Sequence, residues 1–209
     1  MIPSDSSDGI ALVGCGGHAK VIRSLLRRCG IPIAAVLDDR ADYLPQRINE
    51  FEVIGRVCDL QNYAEVPVLI AIGCNRTRAR VSKHVVMSSQ ARIDRVAWVD
   101  ASVTLGDGTV IVAGAIIQPD ARIGYHTVVN TSASIDHDCV IGDFVHVGPG
   151  VRLGGHVSVG DGSMLGIGCS VLPQVQIGRW AVVGAGATVL EDVPDGTTVV
   201  GCPARPIAS

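Results

Sequence analysis

From Val99 to Pro194 the chain divides, without insertion or deletion, into sixteen consecutive six-residue frames that each open on Val, Ile or Leu. The fifth place of every frame is Ala, Ser, Thr, Cys or Val, and Gly follows the lead aliphatic in nine frames. A fixed internal period restricts architecture more than any single motif, because each repeat must bury its apolar side against the next. Side chains alternate along a strand, so residues two apart share a face. The fifth residue of one frame and the first of the next therefore point inward together. The sixth and second point outward, and the third and fourth turn a corner. Three flat faces close a triangle, giving a coil of about eighteen residues and a column a little over five coils long, roughly 25 Å tall. An antiparallel sandwich shares the period of two, but its turn signals fall at irregular intervals, whereas nothing here disturbs the frame.

At 209 residues the chain has room for two small domains. Aromatic residues make up only 3%, which suits a core of aliphatics and glycine. A net charge of −3 argues against a general nucleic-acid binder. The seven cysteines are odd in number, scattered and free of any Cys-x-x-Cys pair, so they read as core thiols of a reducing compartment. Cys139 and Cys169 fall on inward sites. The stretch Met1–Asp8 is polar and acidic and does not read as a secretion signal. No apolar run reaches membrane-spanning length. The expectation is a cytoplasmic protein with no nucleic-acid partner and no membrane span.

Ahead of the repeats, Ile10 to Val13 reads as a strand running into Gly14-Cys15-Gly16-Gly17-His18. Val21, Ile22, Leu25, Leu26 and Cys29 then recur at helical spacing until Gly30 and Pro32. A second strand, Ile33 to Leu37, ends in Asp38-Asp39. This is a βαβ unit whose glycine turn feeds a helix N-terminus, a place that favours phosphate. An acid at the end of the second strand suits a ribose or base contact. A third strand, Val68 to Ile72, opens on Gly73-Cys74-Asn75, followed by a helix carrying Arg76, Arg78, Arg80 and Lys83. The first glycine turn alone reads equally as a tight strand-to-helix turn; a second strand end opening on a glycine loop favours a mononucleotide site, with Arg76 as the better phosphate candidate and Arg78 and Arg80 as solvated charges. Residues 41–65 are too short and too Pro-interrupted for a second crossover helix. Residues 1–95 thus form a Rossmann-like α/β domain and residues 96–209 the parallel β-helix with its C-terminal cap, joined through residues 88–96.

The frame also fixes where each histidine of the column points. His126, His137 and His156 occupy corners, and His146 faces outward from a flat side, so none faces the interior. His126 and His156 read as solvated corners. His137 stands between Asp136 and Asp138, and a carboxylate beside an imidazole fixes its tautomer and supports the charge it gains as a base. For His137 a solvated corner and a catalytic base both stay open on this ground alone.

The motifs Gly14-Cys15-Gly16-Gly17-His18-Ala19-Lys20, Leu37-Asp38-Asp39, Ala71 to Asn75, Asn130-Thr131, His137 to Asp143, Leu165 to Gly168, Val171-Leu172-Pro173 and Gly201 to Ala204 occur in order. Together they resemble the bacterial sugar acetyltransferases of the sialic-acid O-acetyltransferase and bacillosamine-pathway N-acetyltransferase type, over nearly the whole chain. The resemblance implies a left-handed β-helix, a homotrimer with active sites between neighbouring subunits, and acetyl-CoA as co-substrate with no metal. It implies His137 as general base supported by Asp138, a place where the family usually carries Glu. Gly14, Gly16, Gly17, His18, Asp38, Asp39, Gly73, Asn75 and Arg76 would hold the nucleotide sugar, with Asn130 near the sugar. His146, Gly155, Ile167 and Ala185 would touch acetyl-CoA. The implied substrate is a nucleotide-linked 4-amino-4,6-dideoxy sugar, with UDP first and GDP or dTDP open. The rivals are O-acetylation of a sialic-acid-type sugar and a γ-type zinc carbonic anhydrase, which needs three imidazoles converging on one metal.

Overall fold

The computed structural model describes residues 9–207, so the Met1–Asp8 stretch read above lies outside the described residues. β1 (Ile10–Val13) enters α1 (Gly17–Cys29), which turns Ala19, Ile22, Leu25 and Leu26 into the core and stops at Gly30 in a left-handed cap. β2 (Ile33–Leu37) follows, then a small hairpin of β3 (Gln46–Ile48) and β4 (Phe51–Val53) and a 3₁₀ turn, Val57–Tyr63. β5 (Val68–Ile70) and α2 (Asn75–Ser82) complete the domain. Its sheet is parallel with order β2-β1-β5, so the ends of all three strands open on one edge.

The repeats form a three-sided parallel β-solenoid. Two-residue strands recur every six residues from β6 (Arg92–Ile93) to Thr188–Val189, each pairing with the strand one coil on, as Val128 does with His146 and His146 with Met164. Together with two closing strands, Thr198–Val200 and Arg205–Pro206, they stack into sheets of six, five and eight strands. Lead aliphatics such as Ile117, Ile135, Val147 and Leu165 are fully buried, and so are the small fifth-place residues Ala115, Ala133 and Cys139. Polar fifth-place residues are satisfied by the main chain of the next coil: Thr127 Oγ1 donates to Gly142 O (2.8 Å) and Ser163 Oγ to Gly178 O (2.6 Å). Burial pushes the Cys139 and Cys169 thiols up to about 11 and about 12, in keeping with inert core thiols. From Gly108 to Gly186 the fourth residue of every frame takes the left-handed conformation, including His126 (φ 52°), Asp138 (φ 59°) and His156 (φ 60°).

The column begins earlier than the frame count. Ile93 lies six residues before Val99, and β6 already pairs with Val110–Ile111, so the boundary expected near Arg95 falls inside the first coil. The far end closes with Arg205–Pro206 lying antiparallel on Thr198–Val200. Among the described residues no helix is long and apolar enough to cross a membrane.

The contact between the two bodies corrects two sequence expectations. Arg78, read as a solvated charge, is 1% exposed. Its guanidinium donates to the carbonyls of Ile72 (2.9 Å), Gly73 (3.2 Å), His126 (2.7 Å), Phe144 (2.9 Å) and Val145 (3.3 Å), and to Asn75 Oδ1 (2.8 Å). His126, read as a solvated corner, is buried because α2 and the segment around Ser88 cover that edge. Its ring lies flat on Phe144, with centroids 5.5 Å apart, and Ser88 Oγ stands 3.2 Å from its Nε2.

Candidate active site

A cavity of about 570 Å³ opens at the carboxyl edge of the N-terminal sheet. Gly14, at the end of β1, holds φ +104°, and a Cβ there would stand 3.1 Å from the Ala71 carbonyl oxygen, so the turn requires glycine. Gly16 caps α1 and Gly17 begins it, which presents a helix N-terminus to the cavity. Asp38, Asp39 and Arg40 come from the end of β2; Gly73, Thr77, Arg80 and His84 come from the end of β5 and from α2 and the turn after it. Asp38 is committed to shaping this loop. Its carboxylate accepts the Cys15 N–H (2.8 Å), the Cys15 thiol (3.0 Å) and the Arg40 guanidinium (2.7 and 2.9 Å). Burial alone would raise its pKa, yet the bonds from Arg40 and Cys15 hold it well below the usual carboxylate range. Asp39 Oδ1 accepts the Val57 N–H at 2.8 Å.

The cavity also reaches His18, whose ring centroid lies 5.9 Å from that of His146. His146 Nε2 is 3.0 Å from Asn130 Nδ2, and Asn130 Oδ1 accepts the Thr131 N–H at 2.8 Å. That second bond fixes the amide, so Nδ2 is the donor and His146 Nε2 carries the lone pair. The His146 proton then sits on Nδ1, directed at Gly73 O (3.4 Å). Burial, seconded by neighbouring positive charge, lowers the pKa of His146 and brings that of His18 to about 4, so both are neutral.

His137 stands on a different edge. Its Nδ1 is 2.7 Å from Asp138 Oδ2, and its main-chain N–H donates to Asp136 Oδ1 at 2.8 Å. The Asp138 hydrogen bond raises the His137 pKa, a smaller desolvation opposes it, and the charge of Asp136 adds to it. The same bond lowers the Asp138 carboxyl. With the Nδ1 proton held by Asp138, Nε2 of the neutral ring carries the lone pair. Beneath the ring lies Gly155, where a Cβ would meet Cε1 and Nε2 at 2.7 Å. An exposed imidazole, a carboxylate on its far nitrogen and a cleared space below it form the arrangement of a general base.

The sequence-predicted residues therefore fall into groups. Gly14, Gly16, Gly17, His18, Asp38, Asp39 and Gly73 line the cavity. Asn130 and His146 lie outside that lining; His146 is buried against the cavity residues Gly73 and His18, and Asn130 bonds to His146. His137, Asp138 and Gly155 meet on one edge of the column. Ile167, 64% exposed, and Ala185 stack one coil apart on another edge, and the flat side carrying Trp98, Ile116 and Ser134 lies between. Asn75 does not reach the cavity: its Nδ2 donates to Gly162 O (3.1 Å) and Ser163 O (3.0 Å), binding the domain to the column. Arg76 stacks over Trp180 at 4.8 Å, outside the cavity lining. Arg80, expected to be solvated, lines it instead, with Arg40, Thr77 and His84 beside it. Thr77, Arg80 and His84 recur at helical spacing, the signal that could have found them. His126 and His146 lie under the N-terminal domain while His137 and His156 share the open edge, so the four imidazoles do not gather at one point.

Comparison with known proteins matches residues 9–85 to the PglD N-terminal domain and residues 156–191 to the bacterial transferase hexapeptide. The structure superposes on PerB from Caulobacter crescentus, solved with CoA and GDP-perosamine, with a TM-score of 0.88 and 37% identity, covering 99% of this chain and 100% of that one. It superposes on the acetyltransferase domain of PglB from Neisseria gonorrhoeae FA1090, solved with acetyl coenzyme A, at 0.88 and 32% identity, covering 97% and 100%. A UDP-N-acetylbacillosamine N-acetyltransferase of Bacillus subtilis (strain 168) is 41% identical over 118 residues, half of this chain and 51% of that protein. An uncharacterized protein of Acanthamoeba polyphaga mimivirus, L142, is 30% identical over 115 residues, 23% of its length, so the match spans about half or less of these curated relatives.

Proposed function

Since this chain belongs to the hexapeptide-repeat sugar N-acetyltransferases that carry a PglD N-terminal domain, we propose that it transfers acetyl from acetyl-CoA to the amine of a nucleotide-linked amino sugar. The observation that carries this reading is the His137–Asp138 pair set over Gly155 on an exposed edge. The amine attacks the thioester carbonyl, and His137 Nε2 takes the proton it sheds as the tetrahedral species forms. Asp138 keeps the ring in the required tautomer and stabilises the imidazolium. Collapse expels the CoA thiolate, which the imidazolium reprotonates, and the base is restored. Base catalysis of this kind contributes about 10²–10⁴-fold; holding both substrates in one groove supplies much of the remainder.

The N-terminal cavity is the nucleotide site of this proposal. The α1 N-terminus and Arg80 offer donors and positive charge to a diphosphate. The sugar would be a 4-amino-4,6-dideoxy hexose. The family resemblance makes UDP the first expectation for the nucleotide, with GDP and dTDP open, and the GDP-perosamine bound by the Caulobacter enzyme supports GDP as its rival. The working unit is a homotrimer, because the edge bearing His137 and the edge bearing Asn130, Ile167 and Ala185 lie on separate corners of one column and join only between copies.

A thiol-release assay across UDP-, GDP- and dTDP-linked amino sugars tests the reaction. Acetyl-dependent release with one of them, and none with sugars lacking the amine, is the expected result; no release with any member would overturn the reading. Mixing two impaired variants, His137→Asn and Arg80→Ala, at a nucleotide-sugar concentration well below the KM of Arg80→Ala tests the shared site, since hybrid trimers then recover activity above the sum of the parents.

A further inference from the structure

We propose that His137, Asp138 and His156 form a binding site for a transition-metal dication of the zinc type, and that an ion held there silences His137. The three side chains offer donor atoms that all lie within 4.8 Å of one another. Asp138 Oδ2 is 2.7 Å from His137 Nδ1 and 3.6 Å from His156 Nε2. A tetrahedral ion with bonds of about 2.0–2.2 Å places its ligand atoms roughly 3.4 Å apart, between those two separations. Closing the set brings the side chains toward that spacing from separations of at most 4.8 Å.

The backbone enforces this grouping. Asp138 and His156 are the fourth residues of frames one coil apart, both left-handed at the same corner (φ 59° and 60°). The His156 N–H donates to His137 O at 3.0 Å, and the two rings stand edge to face with centroids 5.2 Å apart. The ligands are thus carried on hydrogen-bonded coils and not on a loose loop. Two imidazoles and one carboxylate suit zinc, nickel or copper over magnesium or calcium, and the exposure of all three leaves water to complete the sphere.

The chemical consequence follows from the tautomer. Without metal, His137 keeps its proton on Nδ1, toward Asp138, and its lone pair on Nε2. An ion bound at Nδ1 requires that proton to leave. The neutral ring then carries it on Nε2, by transfer through solvent, with no net change in protons. Nε2 becomes a donor and cannot accept the amine's proton. This inhibitory half rests on the function proposed above; the binding half does not.

His156→Gln separates the two. It removes one ligand, leaves the His137–Asp138 bond in place, and suits the corner, where Gln174 one coil on already adopts φ 68°. Equilibrium dialysis of the full chain against Zn²⁺ alone is expected to show a site that weakens at least about tenfold in His156→Gln, with a zinc-edge anomalous peak among the three side chains. Thiol release is expected to fall with added Zn²⁺ in the wild type and to resist it in the variant, whose metal-free activity stays within about twofold. Equal zinc affinity in both proteins, or a peak only at the exposed cysteines, overturns the site. A peak at the edge with undiminished transfer overturns the inhibition. Zinc binding without acetyl transfer on any substrate counts against the proposed function and leaves the site standing.

Discussion

Gly155 lies directly against the His137 imidazole, since a Cβ on residue 155 would stand 2.7 Å from both Cε1 and Nε2 of that ring. The ring is exposed and free to swing, so a methyl there displaces it from Asp138 without disturbing the core. Gly155→Ala is expected to lower kcat about 10- to 100-fold, with a change in unfolding free energy below about 1 kcal/mol. Steady-state kinetics beside urea unfolding read both. A variant with wild-type kcat would sink the placement of chemistry at this edge.

Asp138 and His137 should fail in unequal measure. His137→Asn removes the proposed base and is expected to lower kcat by about 10²–10⁴-fold. Asp138→Asn keeps a residue that tolerates φ 59° but withdraws the charge that supports the imidazolium, so a smaller loss, about tenfold or more, is expected. Equal and slight losses in both variants contradict the assigned roles.

Two arginines of α2 divide cleanly. Arg80 lines the cavity, whereas Arg76 stacks over Trp180 outside it. A charge-assisted bond to phosphate is worth about 1.5–3 kcal/mol, so Arg80→Ala is expected to raise KM for the nucleotide sugar about tenfold or more. The KM for acetyl-CoA should hold. Arg76→Ala is expected to leave the nucleotide-sugar KM within about twofold. The reverse pattern would return the phosphate to Arg76.

The column was legible because its signal is periodic: inward sites repeat every six residues, and Ile135, Cys139 and Leu153 landed inside as the frame required. His137 was legible for the same reason, since third place means a corner. What a period cannot say is which outer faces another domain covers. His126 and His146 occupy outward positions yet are 6% and 8% exposed, because the N-terminal domain rests on that side of the column. Arg78 falls in the same gap. Three arginines two residues apart on a short polar helix look equivalent in sequence, and only the docked structure separates the buried one, the stacked one and the cavity-lining one. The Asp138–His156 approach depends on the eighteen-residue coil and could have been found by aligning the frames three apart.

Arg78 should be costly to lose. Its guanidinium bonds three carbonyls of the column, His126, Phe144 and Val145, and the Ile72 and Gly73 carbonyls and Asn75 amide oxygen of its own domain, and at 1% exposure no solvent replaces it. Burial pushes its pKa down to about 10, so it remains charged at neutral pH. Arg78→Met leaves several buried acceptors unpaired at about 1–3 kcal/mol each, and a loss of at least about 3 kcal/mol is expected. Arg78→Lys, whose ammonium cannot reach acceptors spread across a planar fork, should recover little. Urea unfolding measures both, and a loss under about 1 kcal/mol in Arg78→Met would show that the contact does not depend on it.

The same contact makes stability sensitive to acid. His18, His126 and His146 are all held neutral by burial first and then by neighbouring positive charge, with Arg78 acting on each; Asp107 and Asp143 only partly offset this at His126. In the unfolded chain these imidazoles take up protons near pH 6.5, whereas folded His18 does so only at about 4. Below pH 6.5 the unfolded state binds more protons, so stability falls as pH drops toward 4 and is flat above about 7. His18 alone accounts for a loss on the order of 3 kcal/mol over that window. His137 acts in the opposite sense, since its pKa is raised in the fold, but its exposure to solvent keeps that effect small. Asp38, held low by Arg40 and Cys15, contributes only at more acid pH, below the unfolded carboxylate range. Urea midpoints at pH 8, 7.5 and 5 should be equal between the first two and clearly lower at the third. A midpoint that is unchanged at pH 5 would mean that the three imidazoles accept protons without disturbing the domain contact.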